Sequence, residues 1–229
     1  NGKEYPSRQH GFARDSEFIC TDITDTSLTF VLKSSEETLK VYPFAFALKI
    51  TYTLKEHDLD VCWEVVNKDS ETMYFTIGGH PAFRVPVREG ESQSDYRLAF
   101  EEQDALTYLL IDTSVGTVIA DEPHTLSLEK GTCTIDPHMF DKDALVFDNG
   151  QIQKAGILLP DGTPYLTLTS EGFPNFGIWS VPGAPFVCLE PWMGRCDDCG
   201  FEKPLSEKAN INVLKPDEEF IRSYQITVH

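Results

Sequence analysis

The sequence predicts an all-β protein, a sandwich or a barrel, and three observations carry that prediction. Short runs rich in β-branched and aromatic residues recur along the 229 residues, several with strict alternation of apolar and polar positions. Proline- and glycine-bearing turns separate them. No amphipathic stretch longer than about two helical turns interrupts the series. Neither a linker-like segment nor a repeat of fixed period divides the chain. Residues 1–229 are therefore read as one domain, long enough to bury a sizeable core.

The elements follow in order. "SLTFVLKSS" (27–35) is the first strand. "FALKITYTLKEHDLDVCWEVVNKD" (46–69) contains two alternating runs separated by Glu56-His57-Asp58, the pattern of a β-hairpin. "TMYFTIGG" (72–79) runs into Gly78 and Gly79. Further strands are expected at 95–100, 107–111, 125–128, 145–148, 155–159, 165–170, 176–180, 186–190 and 220–227. Turns such as "LPDGTPY" (159–165), "FPNF" (173–176) and "VPGAPF" (181–186) stand between them.

Composition excludes several partner classes. Nineteen basic residues against 37 acidic ones leave a formal charge of −18. Such a surface repels nucleic acid and anionic lipid, so neither is expected as a partner. No apolar run approaches the ~20 residues of a membrane helix, and the first residues show no signal-peptide pattern. The six cysteines are scattered, several inside apolar segments such as "VCW" and "FVCLE". They read as small buried hydrophobes in a reduced, cytoplasmic setting rather than as a disulfide framework. "CDDC" (196–199) has no second ligand pair, so a surface loop without metal is expected there.

Four stretches could carry chemistry. In "TIGGHPAF" (76–83), two glycines and Pro81 form a stiff turn that presents His80 from a strand end. A lone histidine in a β protein is usually structural, so His80 needs a partner before it counts as chemistry. "VCLEPWMG" (187–194) supplies a candidate. Its apolar run leads into Glu190, which is costly to bury unpaired and must face a cleft, a partner or water. Pro191 is expected to stop that strand directly after Glu190, and Trp192 offers a flat surface on which a sugar ring could stack. A histidine and a carboxylate facing each other form a general acid/base pair. "RQHGFARD" (8–15) gathers polar side chains around a glycine and a phenylalanine, as an exposed loop also could. "FDKDALVFDN" (140–149) places Asp141, Asp143 and Asp148 around a short strand, with most of these acids read as solvated.

Taken in order, "HGFAR", "GGHPAF" and "LEPWMG" resemble the aldose 1-epimerase (galactose mutarotase-like) family, and within it the LacX-like branch. The resemblance runs from Gln9 to the last strand. It implies a galactose mutarotase-like β-supersandwich that binds a free hexose in an open cleft, with no metal and no organic cofactor. Residue by residue, His80 matches the family's catalytic histidine and Glu190 its catalytic glutamate. His10 and Arg14 match sugar-contacting positions, and Asp143 in "KDALVF" matches a hydroxyl-binding aspartate. Family members carry several strands ahead of "HGFAR", often with a further substrate-binding arginine, whereas nine residues precede His10 here. The expectation is a sandwich lacking those leading strands, with an uncovered sheet edge that pairs with a second copy. The implied reaction interconverts α and β anomers through proton transfer by His80 and Glu190. Two alternatives share the motifs: a non-catalytic carbohydrate-binding sandwich, and a hexose-6-phosphate 1-epimerase, which would need a basic cluster. A glycoside hydrolase fits less well, because that chemistry normally uses two carboxylates.

Overall fold

A computed structural model describes residues 3–101 and 103–229. Among the described residues strands dominate, and the α-helix Glu36–Leu39 is a single turn. That turn is closed by a capping box in which the Ser35 hydroxyl accepts from the Thr38 N–H. The chain divides into two compact units: residues up to Phe75 with Lys203–Gln225, and Thr76–Glu202 with Ile226–His229.

The first unit is a regular antiparallel meander. Its strands Ile19–Ile23, Ser27–Lys33, Phe46–Lys55 and Asp58–Asn67 lie side by side in chain order, followed by Glu219–Val228, whose residues up to Gln225 belong here. The hairpin pairs Phe46 with Asn67 and, at its far end, Lys55 with Asp58. Its loop is the two residues Glu56-His57, with Glu56 at φ 55°, the left-handed conformation that matches strand twist in a tight hairpin. Alternation is clean: Val61, Trp63, Val65 and Asn67 are buried and the residues between them less so. Trp63 packs edge-on against Tyr224 with ring centroids 5.5 Å apart. Asn67 is tolerated inside because its amide donates to the carbonyls of Glu71 and Leu214, at 2.8 and 2.9 Å. The outermost strand, Ile19–Ile23, is exposed along its whole length, with Ile19 70 % and Ile23 69 % accessible.

The second unit holds two larger sheets. One runs Pro164–Thr169, Lys154–Leu158, Arg97–Phe100, Thr132–Thr134, with the His229 N–H donating to the Tyr165 carbonyl at 3.0 Å. The other has five strands: Leu145–Phe147, Asn175–Trp179, Phe186–Met193, and beyond the last of these the two short strands Ile77–Gly78 and Ala82–Arg84. Leu98, Ile157, Leu166, Leu168, Phe147, Phe176, Ile178 and Leu189 are almost wholly buried in this unit.

Four expectations need correction. The run 72–79 breaks at Thr76 into Met73–Phe75 and Ile77–Gly78. Strands at Ile19–Ile23, Ala82–Arg84, Thr117–Val118, Thr132–Thr134 and Asn212–Leu214 were not foreseen; four are too short for alternation to register, and the first buries neither face. Asp148 is not solvated but half-buried, as described below. Pro191, finally, does not end the strand: Phe186–Met193 continues through it. The Pro191 carbonyl accepts from the Gly79 N–H at 3.0 Å. In an antiparallel pair a residue's nitrogen and carbonyl face the same neighbour. The missing donor of Pro191 therefore points to the side where the partner strand is interrupted between Gly78 and Ala82. A proline at a break in pairing removes no ladder bond.

Candidate active site

The interruption that accommodates Pro191 is also what exposes His80. Gly79-His80-Pro81 spans the gap between Ile77–Gly78, paired with Trp192 and Met193, and Ala82–Arg84, paired with Phe186, Val187 and Cys188. Both flanks are pinned, since the Leu189 N–H donates to the Pro81 carbonyl at 3.3 Å. The segment arches over the middle of the long strand, opposite Glu190.

Glu190 is 3 % exposed, and two groups compensate its burial. His80 Nδ1 lies 3.3 Å from Glu190 Oε1, with 37 % of the histidine side chain exposed. The Trp192 indole N–H donates to the same carboxyl. Burial pushes the Glu190 carboxyl up from 4.5 to about 8, the indole hydrogen bond opposes that rise, and the negative charge of Asp143 adds to it. The histidine ring also meets Trp179 edge-on at 5.8 Å.

The sequence builds this geometry with small residues. A Cβ on Gly78 would come within 2.5 Å of the Trp192 ring, and one on Gly177, on the opposite neighbouring strand, would come closer still. Trp192 therefore lies across two strands only because both positions are glycine. The ring expected as a stacking platform is also the hydrogen-bond donor that orients Glu190. Behind it, Trp192 and Trp179 pack against Leu109, Val118, Ala144 and Val146.

Asp143 stands at φ 75°, where its carboxylate accepts from the Ala144 N–H at 2.7 Å; aspartate tolerates that left-handed conformation better than most residues. With Trp179 it lines a cleft of about 700 Å³ together with Asp112, Glu122, His124, Asp141 and Lys142; His80 and Glu190 are not in that lining, and His80 adjoins it through its edge-on contact with Trp179. The structure thus brings His80, Glu190 and Asp143 into one neighbourhood of the second unit. His10 and Arg14 belong to the first unit. His10 stands at φ 65° and Arg14 lies in a 3₁₀ turn, its guanidinium 3.5 Å from Asp15. Phe12 anchors that turn, with its ring 5.6 Å from Tyr42 and from Phe46.

Three features escaped the sequence reading. Trp179 sits across from Cys188, two residues before Glu190 on the long strand, a proximity that only register reveals. The Arg195 guanidinium, 7 % exposed, grips Asp148 with contacts of 2.8 Å and reaches Asp198 at 2.7 Å, which ties the "CDDC" loop to the strand end at Phe147. The Asn175 amide donates to that same Asp148 at 2.7 Å. Within the loop, Cys196 packs on the Val118–Val146 cluster while Cys199 is exposed. Lastly, Cys188 places its sulfur beside the acid/base pair: donor atoms of His80, Cys188 and Glu190 all lie within 4.8 Å of one another. Burial, reinforced by the Glu190 charge, pushes the Cys188 thiol up to about 12.

A buried carboxyl poised near neutrality against an exposed imidazole is an arrangement for moving protons. Comparisons with known proteins give the same direction. The family model for aldose 1-epimerase matches residues 1–220. Protein LacX of Lactococcus lactis subsp. lactis is 29 % identical over 223 residues, 96 % of this chain and 75 % of that protein. The solved galactose mutarotase related enzyme of Lactobacillus acidophilus is 32 % identical with a TM-score of 0.92, covering 100 % of this chain and 76 % of that one. A galactose mutarotase-like protein of Lactobacillus casei gives 30 % and 0.87, over 100 % and 78 %. The all-β fold is therefore galactose mutarotase-like, and the chain belongs to the aldose 1-epimerase family.

Proposed function

We propose that this chain is an aldose 1-epimerase that interconverts the α and β anomers of a free hexose, with His80 and Glu190 as its acid and base. The observation that carries the reading is the 3.3 Å approach of His80 Nδ1 to a buried Glu190. Ring opening needs the anomeric hydroxyl to lose a proton as the ring oxygen gains one. Glu190 takes the hydroxyl proton, protonated His80 donates to the ring oxygen, and the C1–O bond breaks to give the open aldehyde. After rotation about C1–C2 the ring oxygen attacks the other face of C1, returning its proton to His80 while Glu190 reprotonates the carbonyl oxygen. The pair needs one proton, which can sit on oxygen or on nitrogen. A Glu190 that keeps its proton up to about pH 8 supplies it across the neutral range. Each positioned transfer contributes roughly 10²–10⁴-fold.

The cleft favours an unphosphorylated sugar. Asp112, Glu122, Asp141 and Asp143 on its rim outnumber Lys142; carboxylates accept hydroxyl hydrogen bonds and repel phosphate. Asp143, His10 and Arg14 are assigned to ring hydroxyls on the family resemblance. Polarimetry of freshly dissolved α-D-glucose and α-D-galactose tests the reading. Optical rotation should relax faster in proportion to protein concentration. Saturable sugar binding with relaxation no faster than buffer would make the chain a carbohydrate-binding module instead.

A further inference from the structure

We infer that His80, Cys188 and Glu190 form a tridentate site for a soft divalent cation such as zinc or cadmium. Imidazole nitrogen, thiolate and carboxylate are the ligand types that zinc takes in tetrahedral sites, and three protein ligands leave a fourth position for water. Cys188 and Glu190 stand two apart on one strand and so share a face. His80 approaches from the interrupted neighbour.

The distances fit. Two ligands at ordinary zinc–nitrogen and zinc–oxygen lengths in a tetrahedron lie ~3.3 Å apart, and His80 Nδ1 and Glu190 Oε1 are already 3.3 Å apart. A sulfur ligand would stand ~3.6 Å from each of the others; the three donors fall within 4.8 Å of one another, so the closure needed is at most about an ångström. Rotation about the His80 and Cys188 side-chain torsions supplies that movement, and the exposed imidazole edge gives the ion a way in. Binding releases the Cys188 thiol proton, and the Glu190 proton when present, to buffer, because a coordinated thiol is held as thiolate. The occupied atoms are those assigned to proton transfer, so a bound ion would also stop that reaction. Binding itself does not depend on the activity.

Cadmium titration of the full-length chain tests the site through the ultraviolet cadmium–thiolate charge-transfer band, with zinc as competitor. One ion per chain should bind with this band. Cys188→Ala should abolish the band of that ion, and His80→Asn should weaken its apparent Kd by at least about tenfold, as loss of a ligand does. The histidine variant serves if Cys188→Ala fails to fold, since His80 lies at the surface. A band of unchanged size and affinity in either variant puts the ion on other cysteines and overturns the site. No binding of either metal at millimolar concentration does the same. Binding by a chain that leaves mutarotation untouched would sink the epimerase reading and leave the cation site standing.

Discussion

The hairpin Phe46–Asn67 in the first unit and the strand Phe186–Met193 in the second are both central antiparallel elements, yet they follow opposite rules. The hairpin pairs residue for residue over ten positions on each strand, buries alternate side chains of its second strand, and at its outer edge sets Thr51 against Thr29 of the neighbouring strand, hydroxyls 3.1 Å apart. The long strand of the second unit has a gap in one partner, a proline in its interior, a buried glutamate, and a tryptophan ring lying over a glycine of each neighbouring strand. Each departure is destabilising taken singly. Together they bring a carboxyl and an imidazole to 3.3 Å from each other. Regularity in the first unit supports the fold; irregularity in the second creates the candidate site.

The contrast is sharpest in rate. His80→Asn and Glu190→Gln keep polar groups of similar shape but cannot exchange protons near neutrality. Each is expected to slow mutarotation by roughly 10²–10⁴-fold while changing sugar affinity by less than about tenfold. The double variant should be hardly slower than either single one, because the two act as one unit. Glu64→Gln, the same chemical change in the ion pair with Lys49 on the hairpin, should leave the rate unchanged. If His80→Asn relaxes α-D-glucose at the parental rate, His80 is structural and the acid/base assignment fails.

Stability should show the converse. In the folded chain burial raises the Glu190 carboxyl from 4.5 to about 8. A raised acid binds more protons folded than unfolded, so its full stability is present below pH 4.5 and is lost as pH rises through about 8. That interval corresponds to on the order of 4–5 kcal/mol. Glu190→Gln removes the titration. It should therefore be more stable than the parent at pH 9 in urea melts and differ little at pH 4. An equal difference at both pH values would mean that Glu190 is not a desolvated carboxyl.

These two regions also differ in how legible they are. The hairpin could be read because alternation and a polar break, expected over Glu56-His57-Asp58 and found as Glu56-His57, are local properties of residues 46–67. His80 and Glu190 stood out locally, beside Pro81 and at the end of an apolar run, but their pairing and the role of Asp143 came only from the family's motifs, since no periodicity links residues 110 positions apart (190 − 80). Pro191 misled because what matters is which neighbour its missing donor faces, and that depends on a gap between residues 78 and 82. Trp179 and the Arg195–Asp148 pair were invisible for a related reason: each partnership is set by cross-strand register or by a contact across 47 positions. The tryptophan in "LEPWMG" was noticed, but its indole donor could not be assigned without knowing that Gly78 and Gly177 flank it.

That flanking can be broken directly. Gly177→Ala adds one methyl group where the Trp192 ring already lies. All three of the nearest atoms such a methyl would meet belong to the Trp192 ring, so the ring or the strand beneath it must shift. Overpacking of this kind costs about 1–3 kcal/mol, measurable by urea denaturation. Displacement of the indole should lower activity as well. Stability equal to the parent would show that the ring has room to move.

The smallest expected effect separates the groups that tune Glu190. If the acid/base pair must keep one proton, kcat/KM should fall as pH rises through about 8. Two substitutions move that limit in opposite directions. Trp192→Phe deletes the indole donor that favours the charged carboxylate, so Glu190 holds its proton more strongly and the fall begins at higher pH. Asp143→Asn deletes a negative charge that disfavours the carboxylate, so the fall begins at lower pH. Each displacement should stay below about one pH unit, or 1.4 kcal/mol, and should shrink with added salt only for Asp143→Asn, whose influence is Coulombic rather than a hydrogen bond. KM alone does not report on Asp143→Asn, since the side chain is also assigned to a sugar hydroxyl; the inflection of kcat/KM with pH isolates its electrostatic part. Movement of both limits in the same direction would mean that a group other than Glu190 governs the alkaline side of the profile.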